Sequence, residues 1–274
     1  MMKFLFGNEI IERSKYMIIN LSVHFTNKCN YKCEHCMFSC DNNVREDRNE
    51  VLNLAKEIKN FLNGYTYRLN LYGGESFLDI LLIKEYINKL IDDNCIYFGI
   101  PTNGYFLDNE KLLVQIDSLF EGKNTKEKSK IIISTSEYHQ KQWSEGVKNV
   151  VDNIYILSKY KNIYDLIEIQ NTFTTQGLIP YGRAKELNLK CIDRRVRCDL
   201  FEYDADHLEI CINQDGDISF CDFGYIIGNI RNSTIEQIVD IKNKSYKKNK
   251  NKIFKNLSDV CQKCKEGRYV CVKL

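Results

Sequence analysis

The sequence predicts an α/β fold, a parallel sheet of alternating strands and helices followed by a smaller cysteine-rich domain. Three observations predict it. Strand and helix patterns alternate five or six times between residues 17 and 180, as parallel βα units do. The least ordinary residues of that region fall in the loops after strands, where open α/β sheets and barrels carry their chemistry. After Tyr181 the alternation weakens and cysteines recur, which divides the chain into residues 1–181 and 182–274.

Residues 17–25, MIINLSVHF, are apolar through most of their length and read as the first strand. A cysteine-bearing loop follows. Residues 50–62 put Val51, Leu54, Ile58 and Leu62 on one helical stripe, with Gly64 as a stop. RLNLYGG is a second strand ending in glycines, and FLDILLIKEYINKLIDD a second helix. IYFGIPTNG, NEKLLVQIDSLF, KIIISTS, the helical stretch around SEGVKNVVDNIYILSKY, and LIEIQNTF continue the alternation. A short sixth element is expected before IPYGRAKEL. Beyond it, ICINQDGDISFCDFG reads as a hairpin around Asp215-Gly216.

Of 274 residues, 43% are hydrophobic and 28% charged, which excludes a disordered or fibrous chain. The formal charge of +2 offers no global attraction to nucleic acid or membranes. No uncharged apolar run reaches the ~18 residues of a membrane span. Met1 to Asn20 carries charges within its apolar stretch and lacks a small-residue cleavage site, so it is not a secretion signal. Seven lysines between Lys242 and Lys255 read as a solvated face, without the interleaved aromatics that would stack bases. A cytoplasmic location is expected. Thiols stay reduced there, and clustered cysteines bind metal more often than they pair. With twelve cysteines, the chain reads as a metalloprotein.

Cys29, Cys33 and Cys36, in C-N-Y-K-C-E-H-C, give three thiols in a loop short enough to wrap one compact group. Thiolates suit iron–sulfur clusters or zinc. A four-iron cluster held by three thiolates keeps one iron open, the mark of a reactive site. Cys40 could close the site as a fourth ligand, although Asp41 stands where the ferredoxin run has proline. A structural zinc loop is the other alternative.

This C-x3-C-x2-C motif after the first strand resembles that of the radical S-adenosylmethionine (SAM) superfamily. The resemblance covers roughly residues 17 to 180 and implies a partial (β/α)6 TIM-type barrel. It also implies a [4Fe–4S] cluster on Cys29, Cys33 and Cys36 whose open iron chelates SAM, with a flavodoxin- or ferredoxin-type reductant. Gly73, Gly74 and Glu75 resemble the Gly-Gly-Glu motif that hydrogen-bonds the SAM ammonium. Asn103, in Thr102-Asn103-Gly104, matches the end of strand three. Ser134 stands where relatives contact ribose or carboxylate, and His35 where an aromatic residue lies near adenine. Tyr138, His139 and Trp143 read as helix packing or the substrate mouth, and His24 as a satisfied barrel residue.

Pro180-Tyr181-Gly182-Arg183-Ala184 resembles the link to the auxiliary domain in the SPASM/Twitch branch. By that likeness Cys198, Cys221, Cys261 and Cys264 would hold one auxiliary [4Fe–4S] cluster. Substitution by Cys211 or Cys271, or zinc in place of iron, stays open. Cys40, Cys95 and Cys191 read as buried thiols. The branch implies modification of a peptide by epimerisation or crosslinking. With the first strand opening at Met17, no leader-recognition domain is expected ahead of it. The alternatives are dehydrogenation of a polyol or aminosugar and, from another class, a non-catalytic zinc or electron-transfer protein.

Overall fold

A computed structural model describes residues 17–170, 183, 206–220 and 226–249. Strand β1 (Ile18–Thr26) sends Ile19, Leu21, Val23 and Phe25 into the core and Asn20, Ser22 and His24 to its other face, the two-residue period of a strand. Helix α1 (Arg48–Leu62) starts at Asp47, whose side chain accepts from Asn49 N–H. It buries the expected stripe of Val51, Leu54, Ile58 and Leu62 and ends at Asn63, with φ 37°. Strand β2 (Tyr67–Gly73) leads through a short turn at Ser76–Leu78 into α2 (Ile80–Leu90), capped by Asp79. Then come β3 (Cys95–Thr102), α3 (Glu110–Leu119) capped by Asn109, α4 (Lys123–Lys128) and β4 (Ser129–Ser134). Helices α5 (Glu137–Gln140), α6 (Glu145–Asp152) and α7 (Lys161–Leu166) precede β5 (Ile167–Gln170). The helical stretch expected after strand four is broken at Asn153 into α6 and a tighter turn over Ile154–Lys159.

The first five strands lie in the order β5-β4-β3-β2-β1, every neighbouring pair parallel. Sequential parallel strands with helical crossovers are the winding of a TIM-type barrel, here an open arc among the described residues. The expected sixth element before Pro180 lies outside the described residues. The sheet continues past β1 with β6 (His207–Ile212), parallel to it, then with β7 (Asp217–Ser219) and β8 (Gly228–Asn229), each antiparallel to the strand before. The predicted hairpin is β6–β7, turning at Gly216 with φ 78°. Strands from both sides of the expected boundary thus share one sheet. They share one core too: Leu208, Ile210, Ile212, Ile218 and Ile238 belong to the same buried cluster as Ile19 and Phe25.

Helix α8 (Ile235–Asn249) carries the start of the lysine run. Lys242 departs from the expected solvated face, being buried at 4% exposure with its Nζ donating to His207 O at 2.7 Å. Since the strands are parallel, Thr26, Gly73, Thr102, Ser134 and Ile212 all end at one edge of the sheet. That edge carries the cysteine loop.

Candidate active site

The loop after β1 is held at both ends and in its middle. Glu46 accepts from Thr26 Oγ1 at 2.6 Å, from Asn27 N–H, and from Gln214 Nε2 at 2.7 Å. Asn27 Nδ2 donates to Gln214 Oε1 at 2.6 Å. Cys29 N–H donates to Asp41 O at 3.0 Å, closing a loop across residues 29–41, and Cys36 N–H turns back to Cys33 O at 3.2 Å. Arg183 spans the loop. Its Nε donates to Cys33 O at 2.9 Å, its Nη2 to Cys40 O at 2.7 Å, and its backbone N–H to Cys36 O at 3.1 Å.

Inside this frame Cys29 and Cys36 are half-buried, while Cys33 and Cys40 are buried; all four are free thiols. Burial, and then the neighbouring thiols, push Cys33 up to about 12. Burial likewise pushes Cys29 up to about 11, with Glu75 and Cys36 adding to it. A hydrogen bond from Cys40 draws Cys36 below the usual thiol range. Cys40 also reaches Asn27 Oδ1 at 3.8 Å. Three thiolates cannot coexist here without a compact positive charge among them, which an iron–sulfur core or another thiophilic metal supplies. The donor set therefore fits the group that the motif implies. Among the described residues, no three His, Cys, Asp or Glu side chains already converge on one metal-ion position.

The turn after β2 is pressed against this loop. Gly74 N–H donates to Thr26 O at 2.7 Å, and Glu75 N–H to Lys28 O at 2.9 Å. Gly73 has φ 133°, a backbone region that favours glycine, and a Cβ there would lie 2.1 Å from Thr26 O. The glycines thus admit the loop's own backbone. Glu75 faces inward at 1% exposure. Its Oε1 accepts from Thr102 Oγ1 at 2.8 Å and Phe77 N–H at 3.0 Å, and its Oε2 from Asn103 N–H at 2.8 Å. The chain's own donors therefore occupy the carboxylate expected to meet the SAM ammonium, and it fastens the end of β2 to that of β3.

Burial raises the Glu75 carboxyl from its ordinary 4.5 to about 7 against the opposing pull of those three donors. The folded chain then keeps a proton that the unfolded chain releases above pH ~4.5. This contribution is fully present below that pH and is lost as pH rises through about 7, at most about 3 kcal/mol. Thermal melts of the metal-free protein should show the decline between about pH 4.5 and 7. Glu75→Gln should lower the melting point throughout, by opposing the Asn103 N–H, and remove this component of the slope.

Asn103 is 6% exposed, and Trp143 Nε1 donates to its carbonyl at 2.7 Å. Trp143 is itself buried, so of its two sequence readings packing is the one realised. His35 stacks on Tyr138 at 4.6 Å and meets His139 edge-on at 4.8 Å. Its Nδ1 is buried without a hydrogen-bond partner, and burial with the charge of Arg183 lowers its pKa to about 4, leaving the ring neutral. His24 differs from the satisfied residue expected: its ring packs on Phe38 at 4.1 Å and its Nε2 is buried without a partner.

Ser134 ends β4, half-buried. The residue of that loop that reaches the cysteine loop is Ser136, with Oγ 2.9 Å from His139 Nδ1 and 3.5 Å from His35 Nε2. A serine three residues before His139 is a capping pattern readable in sequence. Glu46 and Gln214 carry no local signal. Cys198, Cys221, Cys261 and Cys264 lie outside the described residues. Cys211, on β6, alternates with the buried Ile210 and Ile212 and is half-buried.

Residues 23–125 match the Radical SAM superfamily model, and residues 206–265 the SPASM iron–sulfur cluster-binding domain. The chain thus carries a radical SAM domain together with a SPASM domain. The radical SAM match implies a [4Fe–4S] cluster with SAM, and the SPASM match a further iron–sulfur site. The SPASM match takes in Cys211, Cys221, Cys261 and Cys264 and begins after Cys198.

Relatives include a candidate glycyl-radical enzyme activating enzyme of Methanocaldococcus jannaschii, 27% identical over 56% of this chain and 62% of its own. Another is a candidate peptide biosynthesis protein of Bacillus subtilis, YydG, 26% identical over 48% of this chain and 41% of its own. This chain thus aligns to less than two thirds of either relative. Among solved structures, BtrN with AdoMet and 2-DOIA aligns over 90% of this chain and 87% of its own, at 16% identity and TM-score 0.48. SuiB of Streptococcus suis with S-adenosylmethionine aligns over 94% and 73%, at 13% identity and TM-score 0.45.

Losing Arg183 removes two charge-assisted bonds at about 1.5–3 kcal/mol each, partly replaced by water. Arg183→Ala should release iron roughly tenfold faster under chelator challenge. Arg183→Lys should be intermediate, because an ammonium cannot span both carbonyls as a guanidinium fork does.

Proposed function

We propose that the chain cleaves SAM reductively and uses the product radical to take a hydrogen atom from a peptide, leading to epimerisation or a crosslink. The radical SAM core corresponds to residues 1–181 and the iron–sulfur domain to 182–274. The observation that carries the reading is the gathering of Cys29, Cys33 and Cys36 at the strand ends, under Arg183 and against the Gly73–Glu75 turn. Cys29, Cys33 and Cys36 would hold a [4Fe–4S] cluster, which would supply the one electron needed to cleave SAM to methionine and a 5′-deoxyadenosyl radical. The electron would come from a flavodoxin- or ferredoxin-type donor.

The chain's residues hold and shield. Arg183 and Glu46 fix the loop at its middle and ends, and His35 offers a neutral ring with an unpaired buried nitrogen to a nucleoside base. Gly73, Gly74, Asn103 and Ser134 frame the SAM position at the strand ends, with Glu75 acting through the loop it ties. Cys198, Cys221, Cys261 and Cys264 would hold the auxiliary cluster, closed by four thiolates and suited to relay an electron. A peptide substrate is favoured because the Bacillus subtilis relative is described as a peptide biosynthesis protein. No helix among the described residues is long and apolar enough to cross a membrane.

Anaerobic reconstitution should give about eight irons per chain. With SAM, dithionite and a peptide deuterated at Cα, from a small reading frame beside the gene, the label should appear in 5′-deoxyadenosine. Transfer only from a polyol or aminosugar would replace the peptide reading. About four irons with stoichiometric zinc would remove the auxiliary cluster.

A further inference from the structure

Asn103 has every polar group engaged. Its backbone N–H donates to Glu75 Oε2 at 2.8 Å and its carbonyl accepts from Trp143 Nε1 at 2.7 Å. Its side-chain Oδ1 accepts from Tyr105 N–H at 3.0 Å. Its Nδ2 has two hydrogens and two acceptors, Asn30 Oδ1 at 2.9 Å and Cys29 Sγ at 3.8 Å. Flipping the amide would set oxygen against Asn30 Oδ1 and nitrogen against the Tyr105 N–H, so the network permits one orientation. A second donor, Tyr31 N–H, lies 3.4 Å from the same sulfur.

We propose that Asn103 raises the reduction potential of the cluster on Cys29, Cys33 and Cys36 by donating its amide N–H to Cys29 Sγ, with Trp143 as the residue that positions it. This rests on the cluster reading above. An N–H dipole aimed at a ligating sulfur stabilises negative charge, and reduction adds one electron's charge to the cluster. The reduced state is therefore favoured more than the oxidised one, and the potential rises. The bond is short-range and partly buried, so solvent screens it little. The side chain expected to contact SAM would thus act on the electron donor.

The test is a redox titration of the reconstituted full chain, followed by electron paramagnetic resonance. The relevant signal is the one that changes on adding SAM to wild type, titrated without SAM. Asn103→Leu keeps the branched shape, removes the donor and should move the midpoint to a more negative potential with the iron content unchanged. Trp143→Phe should move it in the same direction by less, because the amide is loosened but remains. A loaded Asn103→Leu protein with the wild-type midpoint overturns the proposal. If that variant fails to load, Trp143→Phe carries the test alone, and an unchanged midpoint overturns it. A wild-type protein with no SAM-responsive signal would instead overturn the cluster reading.

Discussion

With alanine at Cys29, Cys33 and Cys36, the chain should form no 5′-deoxyadenosine from SAM and dithionite, and its iron should fall from about eight to about four per chain. The expectation is all-or-none, because a cluster missing its thiolate ligands has nothing in the loop to replace them. Among the described residues Cys40 is the other thiol of this loop, and its carbonyl is pinned by Arg183 while its sulfur bonds toward Asn27 and Cys36. The triple variant should still fold. Of the three, Cys33 alone is buried, and removing these sulfurs leaves the Glu46 and Arg183 backbone contacts intact. A melting point near that of metal-free wild type, with SAM cleavage absent, is the required pair of measurements. Continued cleavage would show that the radical chemistry resides elsewhere.

Gly74→Ala should be nearly as damaging, by a different route. A Cβ at Gly74 would sit 2.0 Å from Lys28 O and 2.6 Å from Lys28 C, both backbone atoms. Neither can swing aside as a side-chain end would. Lys28 O also accepts from Glu75 N–H, so relieving the clash would break that bond, and the Gly74 N–H bond to Thr26 O beside it. Displacing two backbone hydrogen bonds in this half-buried turn costs about 2–5 kcal/mol. The loss falls where the cysteine loop leaves β1. Cluster loading should drop severely, while far-ultraviolet circular dichroism changes little. Gly64→Ala is the contrast: nothing lies within 4 Å of a Cβ there, and only the strain of φ 85° remains. It should load normally.

The strands, helices and cysteine trio were legible because each is written locally. Val51, Leu54, Ile58 and Leu62 announce a helix by spacing alone, and C-N-Y-K-C-E-H-C needs no distant partner to be noticed. What was not legible depends on distant pairing. Nothing near Gln214 says that it reaches Glu46, 168 positions earlier in the chain. Nothing in HLEICI says that it will lie beside β1 and carry the sheet past the expected boundary. Lys242 was hidden by its surroundings, one buried lysine in a run of exposed-looking ones. Glu75 and Asn103 were found by motif, yet the atoms they touch emerge only from the crossing of β2 and β3. A motif names the residue; long-range packing sets what it touches.

The hairpin turn at Gln214 has a practical consequence. Its side chain also reaches Phe25 O at 3.3 Å, so a turn from the far end of the chain stands under the first loop like a keystone. A fragment stopped at residue 181 would lose that support and leave β1 as a raw edge with unpaired amides, prone to self-association. The front portion of this molecule is thus unsuited to grafting onto another carrier, and chimeras should exchange whole chains.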